Sequence, residues 1–210
     1  MSVAVSPESW MCPPGWSGIV TLDGAILAVV PRPGLVEPVR ERLLAHLGSG
    51  AGLAALTDLA GPSAGDVLGP AALAYLDEAD FVPAPAQAES LPPGHGDVLA
   101  LVASVPEEDA QESGLDETTS AAYVVRDGRE VVAAAAYRPW LDTAAHVSVL
   151  TATTHRGRGL ARAVASAAVA DALANGLLPQ WRARVEASRR VARALGFREH
   201  GEQISLRPGG

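Results

Sequence analysis

The sequence predicts an α/β fold: a mixed, mostly antiparallel sheet with helices on both faces, preceded by a smaller α/β region over residues 1–95. Three observations carry this. Runs of β-prone residues meet at Asp23-Gly24 and Asp127-Gly128, dipeptides suited to tight hairpin turns. After residue 146 the pattern changes to a strand, a long alanine-rich helix, a strand and a second helix, as a crossover connection requires. A stretch without periodicity, rich in Pro, Ala and Gly over residues 83–96, separates the halves and reads as a linker or long loop.

In the first half, strands are expected over residues 18–22 and 25–30, with Pro31 and Pro33 ending the second. Apolar residues at positions 36, 39, 43, 44 and 47 have helical spacing. Residues 70–78 are expected to be a second helix, with Pro70 in its first turn. The second half begins with residues 98–105, a short helix or strand, and an acidic stretch over 107–117. Strands follow over 121–125, 131–137 and 146–151. A helix over 159–174 is closed by Asn175-Gly176. A strand over 181–185, a helix over 187–195 stopped by Gly196, and one or two strands over 197–206 complete the chain.

The composition is that of a globular protein, with 48% hydrophobic and 19% charged residues among 210. Cys12 is the single cysteine, so neither an intramolecular disulfide nor a cysteine-based zinc site can form. The N-terminus lacks a basic segment followed by an apolar run, and apolar runs such as residues 25–30 are far too short to span a bilayer. A cytoplasmic protein without a membrane partner is expected.

Every basic side chain other than histidine is Arg. The net charge is −8, which argues against general nucleic-acid binding, but the charges are segregated. Residues 1–95 hold three Arg and ten acids, whereas residues 155–198 hold nine Arg and only Asp171 and Glu186. A basic block inside an acidic chain suits a local anionic ligand. An RNA-binding module would need aromatic side chains interleaved with those arginines, and Trp181 is nearly alone there.

The chemistry concentrates in Thr151-Ala-Thr-Thr-His155-Arg156-Gly157-Arg158-Gly159-Leu160-Ala161, between a strand and the long helix. Glycines let the backbone approach a ligand closely, and a helix N-terminus offers unpaired N–H groups to an anion. Arg156 and Arg158 add full charges. Neither a Gly-Lys-Ser/Thr nucleotide loop nor G-x-G-x-x-G is present.

Arg156-x-x-Gly159-x-Ala161 resembles the Q/R-x-x-G-x-G/A signature of the GCN5-related N-acetyltransferase (GNAT) family. Ala187-Ser188, Ala192 and Leu195-Gly196-Phe197, with the preceding residues 176–181, resemble its FR47-like branch. The resemblance covers about residues 97–207. It implies an acetyl-CoA-binding domain over residues 96–210 and an accessory N-terminal region over 1–95. It further implies an acyltransferase that moves the acetyl group of acetyl-CoA to a primary amine of a small molecule or peptide, with homodimer formation left open. Backbone N–H groups of Arg156, Gly157, Arg158, Gly159, Leu160 and Ala161 would hold the pyrophosphate. Val149, Leu150 and Thr151 would pair with pantetheine, and the thioester would sit where strands 146–151 and 181–185 splay apart.

Two positions depart from the family pattern. Val185 stands where many members carry Asn, and Ala192 where many carry a tyrosine that protonates the leaving thiolate. Ser188, one helical turn earlier, is the nearby hydroxyl and is assigned to both the cofactor and the catalytic set. His146 is the candidate general base, because an amine must lose a proton to attack. Glu112, Asp116 and Glu117 are candidates for attracting a cationic amine, and Tyr137 and Trp140 for walling the acceptor pocket. His155 reads as a capping or ligand-edge residue and His95 as a loop residue. A non-catalytic acyl-CoA-binding protein of the same fold is the alternative.

Overall fold

A computed structural model of the chain describes residues 1–9, 11–47, 52–60, 66–85 and 88–209. The strands are β1 (Ser2–Val5), β2 (Ser17–Leu22), β3 (Ala25–Val30), β4 (Val67–Tyr75), β5 (Glu89–Leu91), β6 (Ala122–Asp127), β7 (Glu130–Trp140), β8 (Ala144–Thr151), β9 (Leu178–Ala183) and β10 (Arg198–Leu206). The α-helices are α1 (Val36–Leu47), α2 (Gly96–Ala103), α3 (Glu107–Ser113), α4 (Leu160–Ala174) and α5 (Glu186–Ala194). They form two compact units. One comprises Met1–Leu73, Ala183–Val185 and Glu199–Gly210; the other comprises Ala74–Arg182 and Glu186–Arg198.

In the first unit the Asp23-Gly24 turn closes the β2–β3 hairpin, with Leu22 opposite Ala25. β1 joins β3 in parallel, and β10 lies antiparallel to β2 from Gly201 opposite Leu22 to Leu206 opposite Ser17. Val39 and Leu43, one turn apart on α1, bury against Ile19, Val30, Ile204 and Leu206. Each such side chain contributes about 1.5–3 kcal/mol of burial free energy.

Two expectations change here. Residues 70–78 are not a helix: residues 70–75 continue β4, which lies beside β10. Alanine-rich composition favours a helix, but propensity yields to strand pairing when a neighbouring edge is available. The last strand, expected with the second half of the chain, pairs instead with β2 of the first unit.

The second unit has the sheet order β9-β8-β7-β6-β5. Its hairpins are antiparallel, and Asp127 faces Glu130 across the Gly128-Arg129 turn. α2 buries Val98 and Leu101 against Ala134, Ala136 and Leu150 on one sheet face. α4 covers the other face. There Tyr137 Oη donates to Asp171 Oδ2 at 2.7 Å, fastening α4 to β7. Asn175 caps α4 as expected, and Gly176 follows with φ 72°.

The aperiodic stretch 83–96 is not a linker between units, although residues 86 and 87 lie outside the described residues. It contains β5, which pairs with β6, and the start of α2, whose first turn His95 caps by accepting from the Asp97 N–H. Just before it, Leu76 N–H donates to Pro179 O and Val82 N–H to Leu195 O. Gly196 turns the chain at φ 101°, where an added Cβ would lie 2.0 Å from Asp80 O. Ala74 and the described residues from there to 95 thus belong with the second unit rather than with a region ending at residue 95.

Candidate active site

The site grows from the pairing of β8 and β9. These strands run parallel and share only three register pairs: Ala144 with Leu178, Ala145 with Pro179, and His146 with Gln180. β8 continues to Thr151 and β9 to Ala183 with no further register pair between them. The strand expected at 181–185 therefore starts and ends earlier, and Val185 lies beyond it, exposed. Two parallel strands that begin in register and then part leave a gap into which strand-edge groups face.

Alternation along the strands sorts the side chains to two faces. His146 is opposite Arg138 on β7 and Gln180 on β9, so these three share one face, with Ser148 and Arg182 two residues further on. Tyr137 and Trp181 point to the other face. Trp181 Nε1 donates to Ser188 Oγ at 2.9 Å. His146 and Ser188 thus flank β8 and β9 from opposite sides and do not touch. Tyr137, spent on Asp171, is not beside His146, whereas Trp140 is: its ring stacks on the imidazole at 4.8 Å, with the planes 10° apart.

His146 is packed into this face. Its Nδ1 bonds Gln180 Oε1; an amide oxygen only accepts, so Nδ1 carries the proton and Nε2 keeps a lone pair. Burial first, then the positive charge of Arg182, holds its pKa down to about 4, the Gln180 bond opposing and Arg138 adding to the shift. The imidazole is neutral at neutral pH. Gln180 is itself buried and also bonds the Tyr75 hydroxyl. Neither Gln180 nor Tyr75 stands out in the sequence, because their role depends on strand register.

β8 leads into the glycine loop. A 3-10 turn over Thr153–His155 precedes Gly157 at φ 76° and Gly159 at φ 77°. Both need a left-handed backbone that glycine adopts at least cost. A Cβ on either would meet nothing within 4 Å, so no protein atom demands glycine there. α4 starts at Leu160 without an acid in its first turn, leaving its positive end uncompensated. A cleft of about 440 Å³ borders it, lined by Pro85, Val125, Arg158, Gly159, Leu160 and Arg162.

The two loop arginines differ. Arg156 Nη2 pairs with Asp109 Oδ2 at 2.8 Å, and its Nε donates to Thr151 O at 3.4 Å. Arg158 has no such side-chain partner among the described residues. His155 braces the loop, with Nε2 3.1 Å from Asp127 Oδ2 and Nδ1 2.9 Å from Thr154 Oγ1. Two buried polar atoms lack partners among the described residues: Thr151 Oγ1 and Arg162 Nε, at either side of the loop. Arg162 was not anticipated; an arginine in the first turn of the helix after the glycine loop was the available signal.

The remaining candidates are dispersed. Glu117 reaches Arg138 at 3.5 Å in an exposed pair. Ser148 Oγ donates to Gly114 O, tying β8 to the turn after α3. Ala192 is buried on α5. Cys12 Sγ donates to Trp16 O, and burial raises its pKa, as suits an inert thiol. In the first unit, an apolar cavity of about 310 Å³ is lined by Ile19, Leu35, Val39, Leu59 and Leu206, with Ser17 and Asp58 as its polar groups. No cluster of His, Cys, Asp and Glu suited to a metal ion occurs among the described residues, and none of the described helices is long and apolar enough to cross a membrane.

Comparison with known proteins agrees with this geometry. The GNAT acetyltransferase family model matches residues 118–204. A GNAT-family protein of Novosphingobium aromaticivorans is 26% identical, with TM-score 0.54 over 67% of this chain and 64% of its own. A GCN5-related N-acetyltransferase from Kribbella flavida is 21% identical, with TM-score 0.52 over 69% of this chain and 60% of its own. A GNAT-family acetyltransferase from Colwellia psychrerythraea shares the fold at 14% identity, with TM-score 0.52 over 72% of this chain and 59% of its own. This chain therefore spans under two thirds of the length of each. No curated protein matches it. The family match, the parting parallel strands and the glycine loop agree: residues 118–204 form a domain of the GNAT acetyltransferase family.

Proposed function

We propose that this protein is an N-acetyltransferase moving the acetyl group of acetyl-CoA to a primary amine of a small molecule or peptide, by direct attack in a ternary complex. The observation that carries the reading is the β8–β9 gap leading into a glycine loop at an uncompensated helix N-terminus. Acetyl-CoA, when bound, supplies an activated acyl thioester. Its fit to these residues is supported by the open space at Gly157 and Gly159 and by the orphaned Thr151 Oγ1 and Arg162 Nε.

In this reading the backbone N–H groups of residues 156–161 hold the pyrophosphate, assisted by Arg158. Val149, Leu150 and Thr151 offer strand-edge groups to pantetheine amides. A strand-end N–H beside the gap polarises the thioester carbonyl. His146 Nε2 accepts the amine proton. An imidazole titrating near 4 cannot strip an ammonium ion in advance. It can take the proton once C–N bond formation has made that N–H acidic. Water takes the first proton, so the rate follows the acceptor's own ionisation. Ser188 approaches from the other face; its Oγ accepts from Trp181, which leaves its O–H to relay a proton toward the departing thiolate.

Thiol release from acetyl-CoA with a panel of amines tests the reading. Tight CoA binding without thiol release from any amine would select the second reading, a non-catalytic acyl-CoA-binding protein. That alternative is favoured by one observation, the buried methyl of Ala192 where family members carry a hydroxyl.

A further inference from the structure

We infer that the amine acceptor carries an acidic group, a carboxylate in the simplest case, recognised by Arg138 and Arg182 on the His146 face of the sheet. This rests on the acetyltransferase reading for the identity of the site and adds the class of acceptor.

The geometry is a row across three strands. Arg138 on β7 is the register partner of His146, and directly opposed residues hold their Cβ atoms about 4.5–5.5 Å apart. Gln180 on β9 is the register partner on the other side, and Arg182 follows two residues on, on the same face. The imidazole therefore has a guanidinium toward each flank, and the Trp140 ring covers it. Both positive charges disfavour the protonated imidazole. A cationic polyamine entering this face would meet two like charges, whereas an amino acid would meet two opposite ones.

Two acids of the α3 region are turned to other partners. Asp109 is held by Arg156, and Glu107 Oε1 accepts from Gln111. Glu117 does reach Arg138, but at 3.5 Å, with 44% and 71% of the two side chains exposed. Such a pair is worth little and exchanges readily for a ligand carboxylate. A carboxylate held by two guanidinium groups at once is bound more strongly and in a fixed orientation. Held between Arg138 and Arg182, the acid would aim its neighbouring amine at Nε2 of His146.

The test uses the full chain and matched acceptors: a set of α-amino acids, each with its carboxamide and its decarboxylated amine. Thiol release from acetyl-CoA should favour the acids at least 10-fold in kcat/KM. Arg138→Gln and Arg182→Gln should each raise KM for the acids about 10-fold and leave KM for the carboxamides unchanged. Arg182→Glu should turn the preference toward diamines. Equal use of acid and carboxamide would overturn the inference. So would arginine variants that slow all three acceptors alike, the signature of a merely structural role. If no acceptor is acetylated, the acetyltransferase reading fails instead, and calorimetry with CoA present then reads the charge assignment. Amino acids binding more tightly than their carboxamides, with the difference lost in Arg182→Gln, would uphold it. Equal binding, or binding of neither, would overturn it.

Discussion

The two ends of β8 are built on opposite principles. At Ala144–His146 the strand is paired on both sides, and His146 is half-buried, stacked and hydrogen-bonded to the buried Gln180. At Thr151 the pairing with β9 has ended, the hydroxyl is unpartnered, and the chain enters left-handed glycines and an uncompensated helix N-terminus. The first end holds a side chain in one geometry and protonation state. The second offers main-chain donors and space. In the proposed reading, reaction chemistry uses the former and phosphate binding the latter, both on a single strand of eight residues.

The largest test of this contrast is His146→Gln, which keeps polar bulk at the paired end and removes the lone pair that accepts a proton. Loss of a positioned general base costs roughly 10²–10⁴ in rate. We expect kcat to fall in that range while acetyl-CoA affinity, set at the other end, stays unchanged by titration calorimetry. An unchanged kcat would remove His146 from the chemistry.

A pH prediction follows from the same burial. The imidazole titrates near 4 in the folded chain and near 6.5 when unfolded, so folding favours its neutral form. The associated stability is complete above pH 6.5 and is lost as pH falls through about 4. It amounts to at most roughly 3 kcal/mol. Thermal melts should show wild type losing more stability than His146→Gln between pH 6.5 and 4. Identical losses would mean that the ring is solvated.

At the open end, Gly159→Asp places a carboxylate where an anion is expected, at a site where added atoms meet no protein atom. Acetyl-CoA affinity should fall about 10- to 100-fold, with the fold retained by circular dichroism. The left-handed backbone costs a non-glycine residue about 1 kcal/mol. Unchanged affinity in the folded variant would show that the loop does not hold the cofactor. The smallest effect separates the two arginines. Arg158→Ala should weaken acetyl-CoA binding a few-fold. Arg156→Ala should weaken it less, because that guanidinium already neutralises Asp109. The reverse order would mean that Arg156 leaves Asp109 for the ligand.

Much of the open end, and local elements of the first unit, were legible in the sequence. The Asp23-Gly24 turn, α1, α4 with its Asn175-Gly176 cap, and the glycine loop all stand where local patterns put them. The paired end was less so. β9 begins three residues before the strand expected at 181–185, and that shift decides which residue faces His146. Tyr137 and Trp140 both read as pocket walls, yet only Trp140 meets the imidazole, while Tyr137 fastens α4. Ser188 is where helical spacing puts it, but its contact with Trp181 sets it across the sheet from His146.

By itself, the sequence determined the elements whose cause lies within a few residues: tight turns, amphipathic spacing, caps, and a glycine loop before a helix. Dihedral preferences and i, i+4 contacts act over that range. Tertiary structure alone decided that residues 70–75 form a strand, that β10 joins β2, and that Gln180, Arg138 and Arg182 surround His146. Those outcomes depend on register between strands distant in sequence, and a slip of one residue would send every side chain to the opposite face.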